Sequence, residues 1–241
     1  MINYSPAPKG GKTIYGASVG ILMLETRFPR IPGDMGNATS WPFPVLYRVV
    51  RGASPERVVT QKADGLLQQF IECGRELVRD GADGITTNCG FLSLFQEELA
   101  DALDVPVASS SLMQVPLIQR TLPSNKRVAI LTISKSSLSR QHLQCAGCDI
   151  DTPIESTEGG LEFSRAILND ELTLDVEKSR QDNLDAAIRL MDTHPETGAI
   201  VLECTNMVPY AEDIRSVTGV PVFSIYSFIH WFHNGLQPGL Q

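Results

Sequence analysis

The chain has 241 residues, of which 42% are hydrophobic and 20% charged, and its formal charge is −8. This composition excludes disordered and collagen-like classes. With no cluster of Lys and Arg to meet phosphates, it also excludes nucleic acid as an expected partner. No apolar run reaches the roughly 18 residues that span a bilayer, so no membrane partner is expected. The first residues are polar, carry Pro6, Pro8, Gly10 and Gly11, and lack the order of a signal peptide. A cytoplasmic protein with a flexible tail over 1–13 is the expectation.

Short β-branched runs then alternate with longer helical patterns. The strand candidates are 14–24, 45–50, 84–88, 105–108, 127–133, 199–203 and 220–224. Helical patterns fall near 61–79, 91–103, 110–121, 135–146, 159–169, 174–193, 207–217 and 225–234. In the first, Leu66, Leu67, Phe70, Ile71, Leu77 and Val78 share one helical face. Such alternation predicts an α/β fold built from parallel sheets, with the functional loops at the carboxyl ends of the strands.

The segments 82–109 and 197–224 align without a gap. Cys89 falls on Cys204 and Val105-Pro106-Val107 on Val220-Pro221-Val222, both at an offset of 115 residues. Ile85 meets Ile200, Phe95 meets Tyr210 and Ser109 meets Ser224 at the same spacing. Each copy reads as buried strand, cysteine, helix, short loop and a strand opening on Val-Pro-Val, which points to duplication of a half-domain. The expected architecture is therefore two pseudo-symmetric Rossmann-like lobes with the active site in the cleft between them. Lobe 1 comprises 14–113 and 220–241 and carries Cys89. Lobe 2 comprises 114–219 and carries Cys204.

Equivalent residues of two such lobes face one another, which places one thiol on each side of a bound molecule. One thiolate can abstract a proton and the opposite thiol return one, inverting a stereocentre next to a carboxylate or carbonyl. Both cysteines precede predicted helices, whose N-terminal amides and dipole favour a thiolate. A buried free cysteine is often only a small packing residue. Here, however, Asn88, Thr205 and Asn206 flank the pair, and such polar groups are rarely buried without partners. Together with Gly90, they are the expected substrate-binding residues, holding the substrate oxygens. No metal and no cofactor is needed for this chemistry.

The motifs Thr87-Asn88-Cys89-Gly90 and Glu203-Cys204-Thr205-Asn206-Met207 resemble those of the aspartate/glutamate/hydantoin racemase superfamily, over roughly residues 14–235. The resemblance implies a cofactor-independent enzyme whose two cysteines are the acid/base pair, with the substrate carboxylate held by backbone amides and by Ser, Thr and Asn side chains. Two departures bear on substrate. Amino-acid racemases follow the first cysteine with Asn-Thr, where this chain has Gly90-Phe91. Glutamate racemases place His two residues after the second, where this chain has Asn206. The superfamily's isomerases and β-eliminating lyases redirect the same carbanion, and its decarboxylases keep only one of the two cysteines. The leading expectation is a racemase or epimerase. The alternatives are an isomerase or lyase using one cysteine as nucleophile or base, and a non-catalytic binder of small acids. Homo-oligomerisation is left open.

The long loop 25–44, rich in Pro and Gly, follows the first strand and reads as a binding loop. Within it Thr26, Arg27 and Asn37 are candidates to contact an anionic or carbonyl-containing substrate, Arg27 as a bidentate carboxylate ligand. Thr132 and Ser134 close a strand and are further candidates, Ser134 alternatively as a helix N-cap. Cys145 and Cys148 form a Cys-x-x-Cys with no second pair, so no zinc site is expected. His230 and His233 read as packing residues of the last helix. Gly10-Gly11-Lys12-Thr13 ends like a phosphate loop, but Pro6 stands where its first glycine belongs.

Overall fold

The computed structural model describes residues 10–236. Most of the expected N-terminal tail, 1–9, and the last five residues of lobe 1, 237–241, lie outside the described residues.

The strands are β1 (Val19–Leu24), β2 (Val45–Val50), β3 (Gly84–Thr87), β4 (Val107–Ala108), β5 (Arg127–Thr132), β6 (Ile154–Ser156), β7 (Thr197–Leu202) and β8 (Val222–Phe223). They form two four-stranded sheets, ordered β2-β1-β3-β4 and β6-β5-β7-β8, in which every pairing is parallel. The two orders are the same permutation, so the internal repeat extends to topology. In the central pairs, β1 and β3 are buried throughout and β5 and β7 are buried except at Arg127 and Gly198, as a parallel sheet covered on two faces requires.

The helices are α1 (Leu67–Asp80), α2 (Gln96–Leu103), α3 (Val115–Gln119), α4 (Arg140–Cys145), α5 (Phe163–Leu168), α6 (Val176–Thr193), α7 (Ala211–Thr218) and α8 (Ile225–Leu236). Helix α1 buries Phe70, Ile71 and Leu77, three of the residues whose spacing defines its apolar face. The final helices cross between lobes. α3 follows the last strand of the first sheet but packs on β5, whereas α8 follows the last strand of the second and packs on β3. Ile225, Phe228, Ile229 and Phe232 of α8 share a core with Val19, Ile21 and Met23 of β1. Gln114 Nε2 donates to Ser224 O (3.0 Å) where the two crossings meet.

One lobe boundary is corrected by the strand pairing. Residues 220–224 were assigned with lobe 1, but β8 pairs with β7 in the second sheet. Only α8, from residue 225, returns to the first. The reason is the repeat itself: each Val-Pro-Val opens the last strand of its own sheet, and the crossing occurs at the helix that follows. Strand β6 is an addition to the predicted set.

Candidate active site

Strands β3 and β7 end side by side at the cleft, and each delivers a cysteine in extended conformation. Cys89 has φ −147° and ψ 119°, and Cys204 has φ −74° and ψ 125°. Each opens a 3-10 turn, Gly90–Phe95 and Thr205–Tyr210, that leads into α2 and α7 respectively. The first amides of such a turn have no partner within it and point back at the preceding side chain. The Phe91 and Leu92 amides lie near the Cys89 sulfur and the Asn206 amide near that of Cys204, each favouring the thiolate, while Leu92 N–H donates to Cys89 O (3.0 Å).

Both cysteines line one cavity of about 30 Å³. The same walls include Thr26, Asn88, Gly90, Thr205 and Asn206, so seven of the eleven residues nominated from sequence meet here. The cavity is closed across the cleft by a cross-lobe bond from Thr205 Oγ1 to Asn88 O (2.6 Å). Over it lies the loop 25–44, where Gly33 (φ +96°) comes against Pro209 of the second turn. A side chain at position 33 would strain the backbone and meet that proline.

Four nominated residues do not reach the cavity walls. Arg27 is turned away: its side chain is 68% exposed and its Nε pairs with Asp170 (3.1 Å). Asn37 caps the short turn at Ala38–Ser40 and donates to Arg30 O (2.9 Å). Ser134 belongs to a hydroxyl cluster that donates to Glu158 (2.8 Å). Thr132 stands one layer behind the cavity and donates to Glu203 Oε2 (2.6 Å).

The arginine that lines the cavity is Arg30, which the sequence reading passed over. It donates to Asp34 Oδ1 (2.8 Å) and to Thr26 Oγ1 (2.9 Å), and sits over the Phe28 ring at 4.6 Å. Asp34 also accepts from Asn206 Nδ2 (2.5 Å). Asn206 in turn accepts from the Cys204 thiol at 3.6 Å, so its amide braces Cys204 against the Arg30–Asp34 pair. Asn88 accepts from Leu24 N (2.7 Å) through Oδ1, which leaves Nδ2 as the atom it can offer a ligand.

Glu203 is the second residue missed. It is fully buried, it lines the cavity, and its Oε1 has no partner among the described residues. Burial pushes its carboxyl up to about 7, against the lowering effect of the Thr132 bond. The thiols are raised as well, first by burial and then by the Glu203 charge. The nearby backbone amides lower both, but desolvation outweighs them. Both thiols therefore favour the protonated form.

The other singled-out groups lie outside this constellation. Cys145 is exposed and Cys148 is buried with its thiol on Leu112 O (3.3 Å). His233 stacks on Phe43 at 3.7 Å. Among the described residues, no group of three or more His, Cys, Asp or Glu could hold a metal ion, and no helix is long and apolar enough to cross a membrane.

Solved structures with this architecture include a variant of arylmalonate decarboxylase (TM-score 0.63, 18% identity, 92% of this chain and 96% of that one). Another is the allantoin racemase of Klebsiella pneumoniae (TM-score 0.64, 18% identity, 91% and 87%). A glutamate racemase from Bacillus anthracis aligns at TM-score 0.55 and 15% identity over 91% and 83%. At these identities the likeness is one of fold, and it is the fold of the aspartate/glutamate/hydantoin racemase superfamily. No protein-family model matches the chain. By sequence, the chain belongs to the family of the dimethylsulfoniopropionate lyase of Durusdinium sp. clade D. The two are 30% identical over 237 residues, covering 95% of this chain and 78% of that protein. Dimethylsulfoniopropionate lyase 7 of Emiliania huxleyi is 30% identical over 218 residues; the chain covers 63% of its length.

Proposed function

We propose that the chain is a lyase that eliminates the β-substituent of a small carboxylate, with a β-sulfonium acid of the dimethylsulfoniopropionate kind as substrate. The observation that carries this reading is the pair of cysteines, one from each half of the repeat, lining one small cavity. The choice of elimination over inversion draws on the similarity to the named lyases.

In this reaction a cysteine thiolate removes a proton from the carbon next to the carboxylate. The electron pair of that C–H bond forms the Cα=Cβ double bond, the Cβ–sulfur bond breaks, and its pair leaves with sulfur. The zwitterion becomes neutral dimethyl sulfide and acrylate, and the abstracted proton passes to solvent before the next turnover. Cys89 is the better placed base. The backbone amides at the start of its turn favour its thiolate, whereas Cys204 spends its own proton on Asn206 Oδ1 (3.6 Å). A sulfonium cation entering the cavity opposes the desolvation that keeps the thiols protonated. Charge developing on the substrate carboxylate meets Asn88 Nδ2, whose Oδ1 is already held by Leu24 N.

A racemase or epimerase is the second reading, favoured by the presence of a thiol from each lobe on the cavity. Proton NMR in D₂O separates the two, run with dimethylsulfoniopropionate and with a panel of chiral amino and hydroxy acids and hydantoins. The expected result is dimethyl sulfide and acrylate from the wild type, a loss of about 10²–10⁴-fold in Cys89→Ala, and a residual rate in Cys204→Ala. Each variant is checked by thermal melt, since a buried Cys→Ala change costs only on the order of 1 kcal/mol. Inversion of a chiral acid with α-proton exchange, and no sulfide released, would overturn the lyase reading.

A further inference from the structure

The 115-residue offset that pairs the cysteines also pairs Asn88 with Glu203 and Gly90 with Thr205. The structure treats these equivalents differently. In one half, Thr205 Oγ1 donates to the carbonyl of Asn88. In the other, the corresponding contact runs from Gly90 to the carbonyl of Glu203, and there is no side chain to make it. A Cβ at position 90 would stand 2.4 Å from that carbonyl oxygen and 2.2 Å from Glu203 Oε1. The glutamate side chain occupies the space that the threonine fills in the other half. The pseudo-twofold site is thus broken at one place, and what breaks it is a buried carboxyl on the cavity wall.

The orientation of that carboxyl is fixed. Thr132 Oγ1 donates to Oε2 at 2.6 Å, so a proton on the neutral acid belongs on Oε1. That atom is buried and has no partner among the described residues. The equivalent Asn88 has the same construction: its Oδ1 accepts from Leu24 N and its Nδ2 is left as a donor. Leu24 and Thr132 close the corresponding strands β1 and β5. The two halves therefore present one donor each, an amide from Asn88 and a carboxyl hydroxyl from Glu203.

We propose that Glu203, through its Oε1 hydroxyl, donates a hydrogen bond to the carboxylate of the substrate and to the enediolate formed from it. The substrate class rests on the lyase reading above; the donor role requires only a carboxylate ligand. A buried neutral acid can serve an oxyanion in this way without bringing a second negative charge into the site. Once ionised, Glu203 loses the donor and repels the ligand.

The groups that face Glu203 leave its titration readable. Cys89 and Cys204 are raised and keep their protons, and Tyr210 is pushed up to about 12. His142, on the helix packed against the Gly90–Phe95 turn, is lowered to about 4 by burial and stays neutral. Arg30 and Asp34 are paired with each other. Thr132 and Ser111 carry no charge.

The test is calorimetric binding of 3-(trimethylammonio)propionate between pH 6 and 9 to wild type, Glu203→Gln and Glu203→Ala. It is accompanied by thermal melts and by assay of sulfide release. Wild-type affinity is expected to hold to about pH 7 and then weaken by about tenfold per pH unit. Glu203→Gln keeps a donor and cannot ionise, so it binds within about threefold of wild type at pH 6 and does not weaken to pH 9. Glu203→Ala binds at least about tenfold more weakly at pH 6, as expected for loss of a hydrogen bond to a charged group. The proposal is overturned by wild-type binding that is absent at pH 6 or independent of pH, by wild-type affinity in Glu203→Ala, or by loss of binding in a folded Glu203→Gln. Expected binding without sulfide release would leave the donor in place and remove the lyase reading. Sulfide release by Glu203→Ala at the wild-type rate would do the reverse.

Discussion

Gly90→Ala puts the contact between the lobes under direct strain. The added Cβ would lie 2.2 Å from Glu203 Oε1, 2.4 Å from Glu203 O and 2.9 Å from its Cδ. The carboxyl can retreat only by giving up Thr132, and the carbonyl is held by a strand end whose Glu203 N donates to Leu131 O at 2.8 Å. Overpacking of this kind costs about 1–3 kcal/mol. For a chain of this length each kcal/mol moves the melting temperature by about 2–4 °C, so the expected drop is roughly 2–12 °C. Activity should fall further, by on the order of 10²-fold, because Cys89 is the adjacent residue and a misplacement near 1 Å is enough for such a loss. Differential scanning calorimetry and an activity assay on Gly90→Ala, Glu203→Ala and the double variant form a cycle. The double variant should recover the part of the loss due to the carboxyl, a coupling of at least about 0.5 kcal/mol. The part due to the backbone oxygen should remain. A Gly90→Ala protein that melts within a degree of wild type and keeps full activity would refute the packing on which this reasoning stands.

Two further outcomes follow from charges buried at the same site. Asp34→Ala leaves the cavity arginine without its partner and frees Asn206, so urea denaturation should give a loss of about 3–5 kcal/mol; a loss below 1 kcal/mol would mean the Arg30–Asp34 pair braces nothing. Glu203 is raised on folding from 4.5 to about 7, so the native state binds more protons than the unfolded state across that interval, and this residue's contribution to stability falls as pH rises. Glu203→Gln should therefore gain on wild type by up to about 3 kcal/mol between pH 4.5 and 7, read as the difference between the two denaturation curves; a difference that is flat with pH would contradict a buried, unpaired carboxyl.

The parts of the site that were legible in the sequence are those written twice. The offset shared by Cys89 and Cys204 gave both lobes, and with them the facing thiols. Loop residues have no second copy. Arg27 and Arg30 are three residues apart in one irregular segment, and which of them turns inward is decided by Asp34, Thr26 and the Phe28 ring. Glu203 was quoted in a motif and passed over, although an acid closing the apolar run Ala199–Leu202 is itself a signal of a special environment. Strand β6 escaped because three residues, Ile154–Ser156, are too few to show a period. The helices expected at 91 and 207 open as 3-10 turns, which apolar spacing over one turn does not distinguish from α-helix.

The crossing of α3 and α8 reaches back to how such a chain arises. Two separate half-length chains that exchanged their final helices would build the same cleft, with a twofold axis running through it. Every residue on one wall would then be repeated on the other. A site with Glu203 and Gly90 on one diagonal and Asn88 and Thr205 on the other is closed to such a homodimer, because any change entered on one wall would enter on both. Joining the halves into one polypeptide removes that constraint. The two walls can then diverge, and a symmetric container can acquire two chemically different faces.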